Sequence, residues 1–257
     1  MTADPGRDLL DAEEAFLRLA NTVVPLEGGA ELVTNPLLPS LAEANQVRRV
    51  RARDEASADR LVDEAERHFR GLGASARRWV LDPGATPPRM GDLLASRGYA
   101  RYEEEGLVLA GAPAGKLPPS VRLREIREDA DWDRLDDLDV SSGERRLNLD
   151  TWERMAQIRR KKCAAGPFRY WMVEKGEEPI GVVGLHRAPA LAVIQDYFIR
   201  PEWRDRGIGR GVLGRLASDL GKTPVLGVVC PAGETESDFY THLGFQSVIE
   251  LKAYEKD

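Results

Sequence analysis

One stretch constrains this chain more than any other. An extended, mostly apolar run from Leu191 to Arg200 passes through Pro201-Glu202-Trp203 into Arg204-Asp205-Arg206-Gly207-Ile208-Gly209, and a helix-like run from Ile208 to Leu220 leaves it. A strand, a basic glycine-containing turn and a helix N-terminus, in that order, make a site for a pyrophosphate. Glycines let the backbone approach the anion, free N–H groups point at it, and the helix dipole adds a favourable potential. A second signal follows about thirty residues on, Asp238-Phe239-Tyr240-Thr241-His242-Leu243-Gly244-Phe245.

Together the two signals resemble the acyl-CoA site of the GCN5-related N-acetyltransferase (GNAT) superfamily. Its signature is Arg/Gln-x-x-Gly-x-Gly/Ala after a strand, then a helix carrying Tyr before a Leu-Gly-Phe turn. The resemblance covers roughly the last half of the chain. It implies an acetyl-CoA-dependent N-acetyltransferase in which a primary amine attacks the bound thioester directly, with acetyl-CoA as cosubstrate and no metal. By the same resemblance Asp205, Arg206, Gly207, Ile208, Gly209 and Arg210 contact the pyrophosphate. Arg204 opens the motif, and its side chain either steers the anion or braces the loop. The backbone of Tyr197, Phe198 and Ile199 pairs with pantetheine, and Tyr240 protonates the departing thiolate. The base stays open. Asp196 lies on the strand beside the expected thioester position, and His186 has the better intrinsic pKa for the task. The family often carries a glutamate and then an asparagine where this chain has Val228 and the Ala232-Gly233 loop, so loss of the amine proton to water is a third route. A rival reading of another class is an acyl-CoA sensor or scaffold that binds without catalysing transfer.

Composition trims the alternatives. A net charge of −6 over 257 residues offers no broad phosphate footprint for nucleic acid. The basic run Arg159-Arg160-Lys161-Lys162 is expected to cover a solvated helix end. Two cysteines, Cys163 and Cys230, make no disulfide framework and are read as reduced packing residues. Neither lies in a nucleophile context, and three scattered histidines supply no metal cluster. No apolar run is long enough to cross a bilayer and the N-terminus has no signal-peptide core, so the expectation is a cytoplasmic protein; the resemblance implies a small-molecule or peptide amine as acceptor.

The fold expected is α/β, a mixed sheet with helices on its faces: the acyl-CoA N-acyltransferase fold. Gly111 to Pro119 excludes helix and sheet interior, which places domains at 1–112 and 120–257 with a linker at 113–119. Downstream the elements read as strand 121–126, helices 129–140 and 149–163, and a hairpin of 168–173 with 180–185. Then follow strand 193–199, a helix from Gly207, strand 225–230, helix 237–242 and strand 246–254. Upstream, 54–70 reads as a helix and 78–81 as a strand. Asp92 to Tyr99 then lines up with Asp238 to Phe245, which suggests a tandem with a degenerate first copy; an unrelated accessory domain is the alternative. In that copy Leu94 stands where Tyr240 stands in the second, and leucine has no proton to donate. Arg70-Gly71-Leu72-Gly73 ends its helix and reads as a C-cap. Gly209-x-Gly211-x-x-Gly214 is a literal dinucleotide fingerprint, but Pro201-Glu202-Trp203-Arg204-Asp205-Arg206 intervenes after the strand it should follow directly.

Overall fold

Each half of the chain lays antiparallel strands side by side, then adds a parallel one after a helix. The computed structural model describes residues 4–109, 111, 115–142, 149–220 and 225–256. The elements run α1 (Pro5–Arg18), β1 (Thr22–Pro25), β2 (Glu31–Thr34), β3 (Gln46–Arg48), α2 (Glu55–Gly71), β4 (Arg77–Leu81), α3 (Met90–Ser96) and β5 (Ala100–Leu109). They continue with β6 (Val121–Glu125), α4 (Asp129–Ser142), α5 (Leu149–Ala164), β7 (Phe168–Lys175), β8 (Glu178–Arg187) and β9 (Leu191–Ile199). The last are α6 (Ile208–Leu220), β10 (Val225–Pro231), α7 (Thr235–His242) and β11 (Phe245–Lys256).

By contacts the chain divides into two units that are not sequential. The C-terminal unit comprises Met1–Phe16, Leu107–Val228 and Asp238–Gln246; the N-terminal unit comprises Leu17–Gly106, Val229–Ser237 and Ser247–Asp257. This differs from linear domains meeting at 112–120 because chain ends are exchanged. The last strand, β11, pairs antiparallel with β4, from Lys252 beside Leu81 to Lys256 beside Arg77, and so completes the N-terminal unit. The first helix joins the C-terminal unit, burying Leu9, Ala12 and Phe16 along one face. Of the expected linker, residues 113 and 114 lie outside the described residues. Leu117 runs against α6 so closely that a Cβ on Gly211 would come within 2.7 Å of its Cα. That segment is what the mid-helix glycine admits.

In the N-terminal unit β1–β2 and β2–β3 are antiparallel and β3–β4 parallel. In the C-terminal unit β6–β7, β7–β8 and β8–β9 are antiparallel and β9–β10 parallel. The parallel step encloses a helix in both, α2 and α6. Both copies then continue helix, left-handed glycine, strand: α3, Gly98 (φ +86°) and β5; α7, Gly244 (φ +95°) and β11. Leu94 and Tyr240, the residues aligned from sequence, are buried in their respective helices. The repeat is one of topology as well as letters.

The two copies differ where α2 and α6 begin. Asp54 caps α2 with its own carboxylate, accepting from the Ser57 amide at 2.8 Å, while the Ser57 hydroxyl accepts from the Asp54 amide at 2.9 Å. Hydrogen bonds from Ser57 to the carboxylate, the backbone amide first and then the side chain, lower the Asp54 carboxyl to about 2. The N-terminus of α2 is therefore already occupied by an anion of the chain. α2 itself ends at Gly71 with Gly73 in the left-handed region, as a C-cap reading requires.

Candidate functional site

β9 and β10 start as neighbours, Leu191 beside Val225, Ala192 beside Leu226 and Val193 beside Gly227, and the pairing ends there although both strands run on. On its other edge β9 stays with β8 as far as Ile199 beside Gly181, with a register shift between Val182 and Gly184. One residue of β8, Val183, thus opposes two of β9, Asp196 and Tyr197, which is a bulge. Asp196 sits in it with φ +48°, a conformation that Asp tolerates better than most side chains. The bulge is tied down by the side chain. The Tyr170 hydroxyl donates to Asp196 Oδ2, and Arg159 Nε lies 3.5 Å from the same oxygen. The backbone of Tyr197, Phe198 and Ile199 consequently presents to the β10 side an edge with no ladder partner in β10.

From Ile199 the chain turns through one 3₁₀ turn at Pro201–Trp203. Arg204 Nε donates to the Ile199 carbonyl at 2.9 Å and its guanidinium lies 5.8 Å from the Phe198 ring, so this side chain braces the loop. Asp205 (φ +58°) and Gly207 (φ +72°) then take left-handed conformations that swing the backbone into α6. The Gly211 amide donates to the Gly207 carbonyl at 3.0 Å. Among the described residues no backbone hydrogen bond is donated by the amides of Asp205 to Arg210. A Cβ on Gly207 would stand in open space, whereas one on Gly209 would meet Phe239 Cζ and the Tyr197 hydroxyl at 3.0 Å. Arg206 lies 4.8 Å over the Trp203 ring and Arg210 is exposed.

Tyr197 adds a feature that motif reading did not foresee. Its hydroxyl is buried without a hydrogen-bond partner among the described residues, and burial alone raises its pKa far above the ordinary tyrosine range. It remains a protonated donor in search of an acceptor. A phosphate or pantetheine oxygen suits the place. Unpaired amides, a glycine cradle and an orphaned hydroxyl fit a diphosphate ester carried on an extended chain.

Tyr240 lies on α7, 2% exposed, its ring edge-to-face with Phe239 at 5.1 Å and Phe245 at 5.3 Å. Asp238, two residues earlier, is exposed. His186 is 2% exposed, with Nδ1 buried and unpartnered and its ring 5.8 Å from Phe16. Burial first, then the charge of Lys162, lowers its pKa below the ordinary histidine value. It is a neutral ring within the packing around Phe16 and Phe168 (its register partner on β7).

The basic run on α5 corrects the expectation of a solvated helix end. Lys161 is exposed, but Arg159 is 6% exposed and turned to Asp196, and Lys162 Nζ lies 3.6 Å over the Phe16 ring. Arg160 pairs with Asp136 at 2.9 Å and lies 5.6 Å from the Trp132 ring. The inward members of the run therefore belong to the surroundings of the β9 bulge.

Burial pushes the Cys163 thiol up to about 11 and the Cys230 thiol up to about 12, so both are unreactive thiols. Among the described residues no group of three His, Cys, Asp or Glu is placed to hold a metal, and no helix is long and apolar enough to cross a membrane. The N-terminal unit has a cavity of about 820 Å³, but its walls are opposed charges already paired, such as Arg60 with Glu27 and Arg97 with Asp63, each at 2.8 Å.

Known proteins resemble this chain in fold. Residues 166–247 match the family model for an acetyltransferase (GNAT) domain. A functionally unknown conserved protein from Staphylococcus epidermidis aligns over 93% of this chain and 94% of its own, at 12% identity and a TM-score of 0.74. A GCN5-related N-acetyltransferase from Kribbella flavida aligns over 98% and 95%, at 10% identity and 0.68. A tandem GNAT protein from the clavulanic acid biosynthesis pathway aligns over 98% and 88%, at 14% identity and 0.60. No curated protein matches in sequence. At these identities the structural likeness establishes the fold: mixed sheets of the acyl-CoA N-acyltransferase type, in tandem.

Proposed function

We propose that this chain, a tandem of two such folds with a GNAT domain at residues 166–247, moves an acetyl group from acetyl-CoA to a primary amine of a small molecule or peptide. The observation that carries this reading is the conjunction at β9: pairing with β10 lapses after Val193, and unpaired amides follow at the glycine-led start of α6. In the N-terminal copy the start of α2 is instead capped by the Asp54 carboxylate.

Acetyl-CoA supplies the activated acyl carbon and a thiolate leaving group. The amides of Asp205 to Arg210, with the Arg206 and Arg210 side chains, hold the pyrophosphate; the Tyr197–Ile199 backbone holds pantetheine in line with them. Arg204 keeps the loop in shape. The acceptor nitrogen forms its bond to the carbonyl carbon as the carbon–sulfur bond breaks. Tyr240 gives a proton to the departing sulfur, and Asp196 takes the proton lost by the amine, directly or through water. Of the two base candidates, the position of Asp196 on β9 supports it over His186, which packs against Phe16.

Isothermal titration of the full chain with acetyl-CoA, followed by a mass-spectrometric screen of amines, tests this reading; no binding heat at millimolar ligand would end it. Gly207→Val is expected to weaken acetyl-CoA binding at least ~10-fold. A β-branched residue resists the left-handed region by about 1–2 kcal/mol, and relaxing it moves the amides off the anion. An unchanged dissociation constant would show that this turn does not hold the pyrophosphate. The sensor reading draws support from one observation, the packing of Tyr240 between two core rings. It predicts acetyl-CoA binding with no amine acetylated.

A further inference from the structure

We propose that Lys162 is an acyl acceptor within its own chain, taking an acetyl group from acetyl-CoA onto Nζ; this rests on the acetyl-CoA reading above. Arg159 and Lys162 stand one turn apart on α5 and so share a face. That face is turned inward. Arg159 reaches Asp196 at 3.5 Å, and Lys162 lays its ammonium 3.6 Å over Phe16. Asp196 immediately precedes Tyr197–Ile199, the edge along which pantetheine would run back from α6. A chain laid that way ends its acyl group at the bulge, next to the inner face of α5.

The setting also favours the reactive form of the amine. Burial chiefly, and then the positive charge of Arg159, lower the Lys162 pKa to about 8, against the opposing pull of Asp196 and Glu13. The groups facing it are Arg159 and Cys163 on its own helix, Glu13 on α1, Asp196 on β9 and His186 on β8. Burial raises the Cys163 thiol and lowers the His186 ring, so neither brings a charge near neutrality. At pH of about 8, roughly half of Lys162 is neutral, against about one in 250 of an ordinary lysine titrating near ~10.4. The neutral nitrogen forms a bond to the thioester carbon and the carbon–sulfur bond breaks. Coenzyme A leaves as a thiolate that takes up a proton, and the proton shed by Nζ passes to Asp196 or water. The product is a neutral acetyl-lysine lying over Phe16.

The experiment incubates the full chain with ¹³C-acetyl-CoA near the Lys162 pKa, with and without excess unacylated coenzyme A, and maps the label by peptide mass spectrometry. Binding is followed in parallel by calorimetry. Label is expected at Lys162 about 100-fold faster than at exposed Lys161 or Lys252, with excess coenzyme A suppressing it. The Lys162 rate should level off above pH of about 8 while that at exposed lysines keeps rising. Lys162→Arg should abolish this label and keep acetyl-CoA binding. Binding without faster labelling at Lys162, or labelling that coenzyme A does not suppress, would overturn the inference and leave the acetyltransferase reading standing. No binding would remove both.

Discussion

Tyr240→Phe is expected to bind acetyl-CoA as the wild type does and to acetylate its amine at least ~100-fold more slowly. Proton transfer from a positioned side chain contributes typically 10²–10⁴-fold, and a phenyl ring keeps the packing against Phe239 and Phe245 while losing the proton. Those rings make the comparison a clean one. The shape of the core is retained, so the stability cost of removing one buried hydroxyl should stay at about 1 kcal/mol. Single-turnover rates measured beside calorimetric dissociation constants separate the two roles. If the variant turns over at the wild-type rate, Tyr240 is a core tyrosine and the thiolate is protonated by something else. If the wild type acetylates no amine while binding acetyl-CoA, the sensor reading takes its place.

That test could be framed from the sequence because Tyr240 sits in a motif of local order: helix, Gly244, strand. The same is true of the turn from Arg204 to Gly209, where alternation in β9 gives way to glycines and then to helical spacing. α2, β7, β8 and α6 are long enough to show a period and were legible for that reason, whereas α1, at 14 residues, went unread. β1, β2 and β3, at three or four residues each, are too short to display one. What local pattern cannot carry is partnership. β11 reads plainly as a strand, yet nothing in Gln246–Tyr254 says that it will pair with β4.

The basic run on α5 fails differently. Four consecutive cations define two helix faces but not which of them meets the sheet, and only packing shows Arg159 and Lys162 turned to Asp196 and Phe16. The bulge at Asp196 is equally silent in one dimension, since it is a mismatch between two strands. So the turn from Arg204 to Gly209 was readable from the chain, and the packing around Asp196 was not.

Among the described residues of that same unit, Glu174 carries the sharpest stability prediction. Its carboxylate is fully buried on β7 and faces three guanidinium groups: Arg122 Nε at 2.8 Å, Arg124 Nε at 3.1 Å and Arg134 Nη1 at 2.7 Å. Burial pushes its pKa up, but hydrogen bonds from Arg122, Arg134 and Arg124 together outweigh it and hold the group below its ordinary value. Arg134 also donates to the Glu177 carbonyl at 2.6 Å, tying α4 to the β7–β8 turn. Arg134→Met should therefore cost about 3 kcal/mol near neutral pH, the low end for breaking a buried pair, because two partners remain. Adding Glu174→Leu should recover most of that loss, since the cost lies in an under-partnered charge and not in the missing arginine. The pH dependence has a definite sign. A depressed carboxylate contributes stability above its unfolded pKa of about 4.3, and loses it as pH falls through the lower folded value. Removing Arg134 raises the folded value, so the gap between variant and wild type should close as pH drops below about 4.3 and Glu174 takes up its proton. Urea unfolding of the two variants and the wild type across that range measures this directly. A gap that stays constant with pH would mean that Arg134 acts through packing of its aliphatic stem, and that the buried carboxylate does not depend on it.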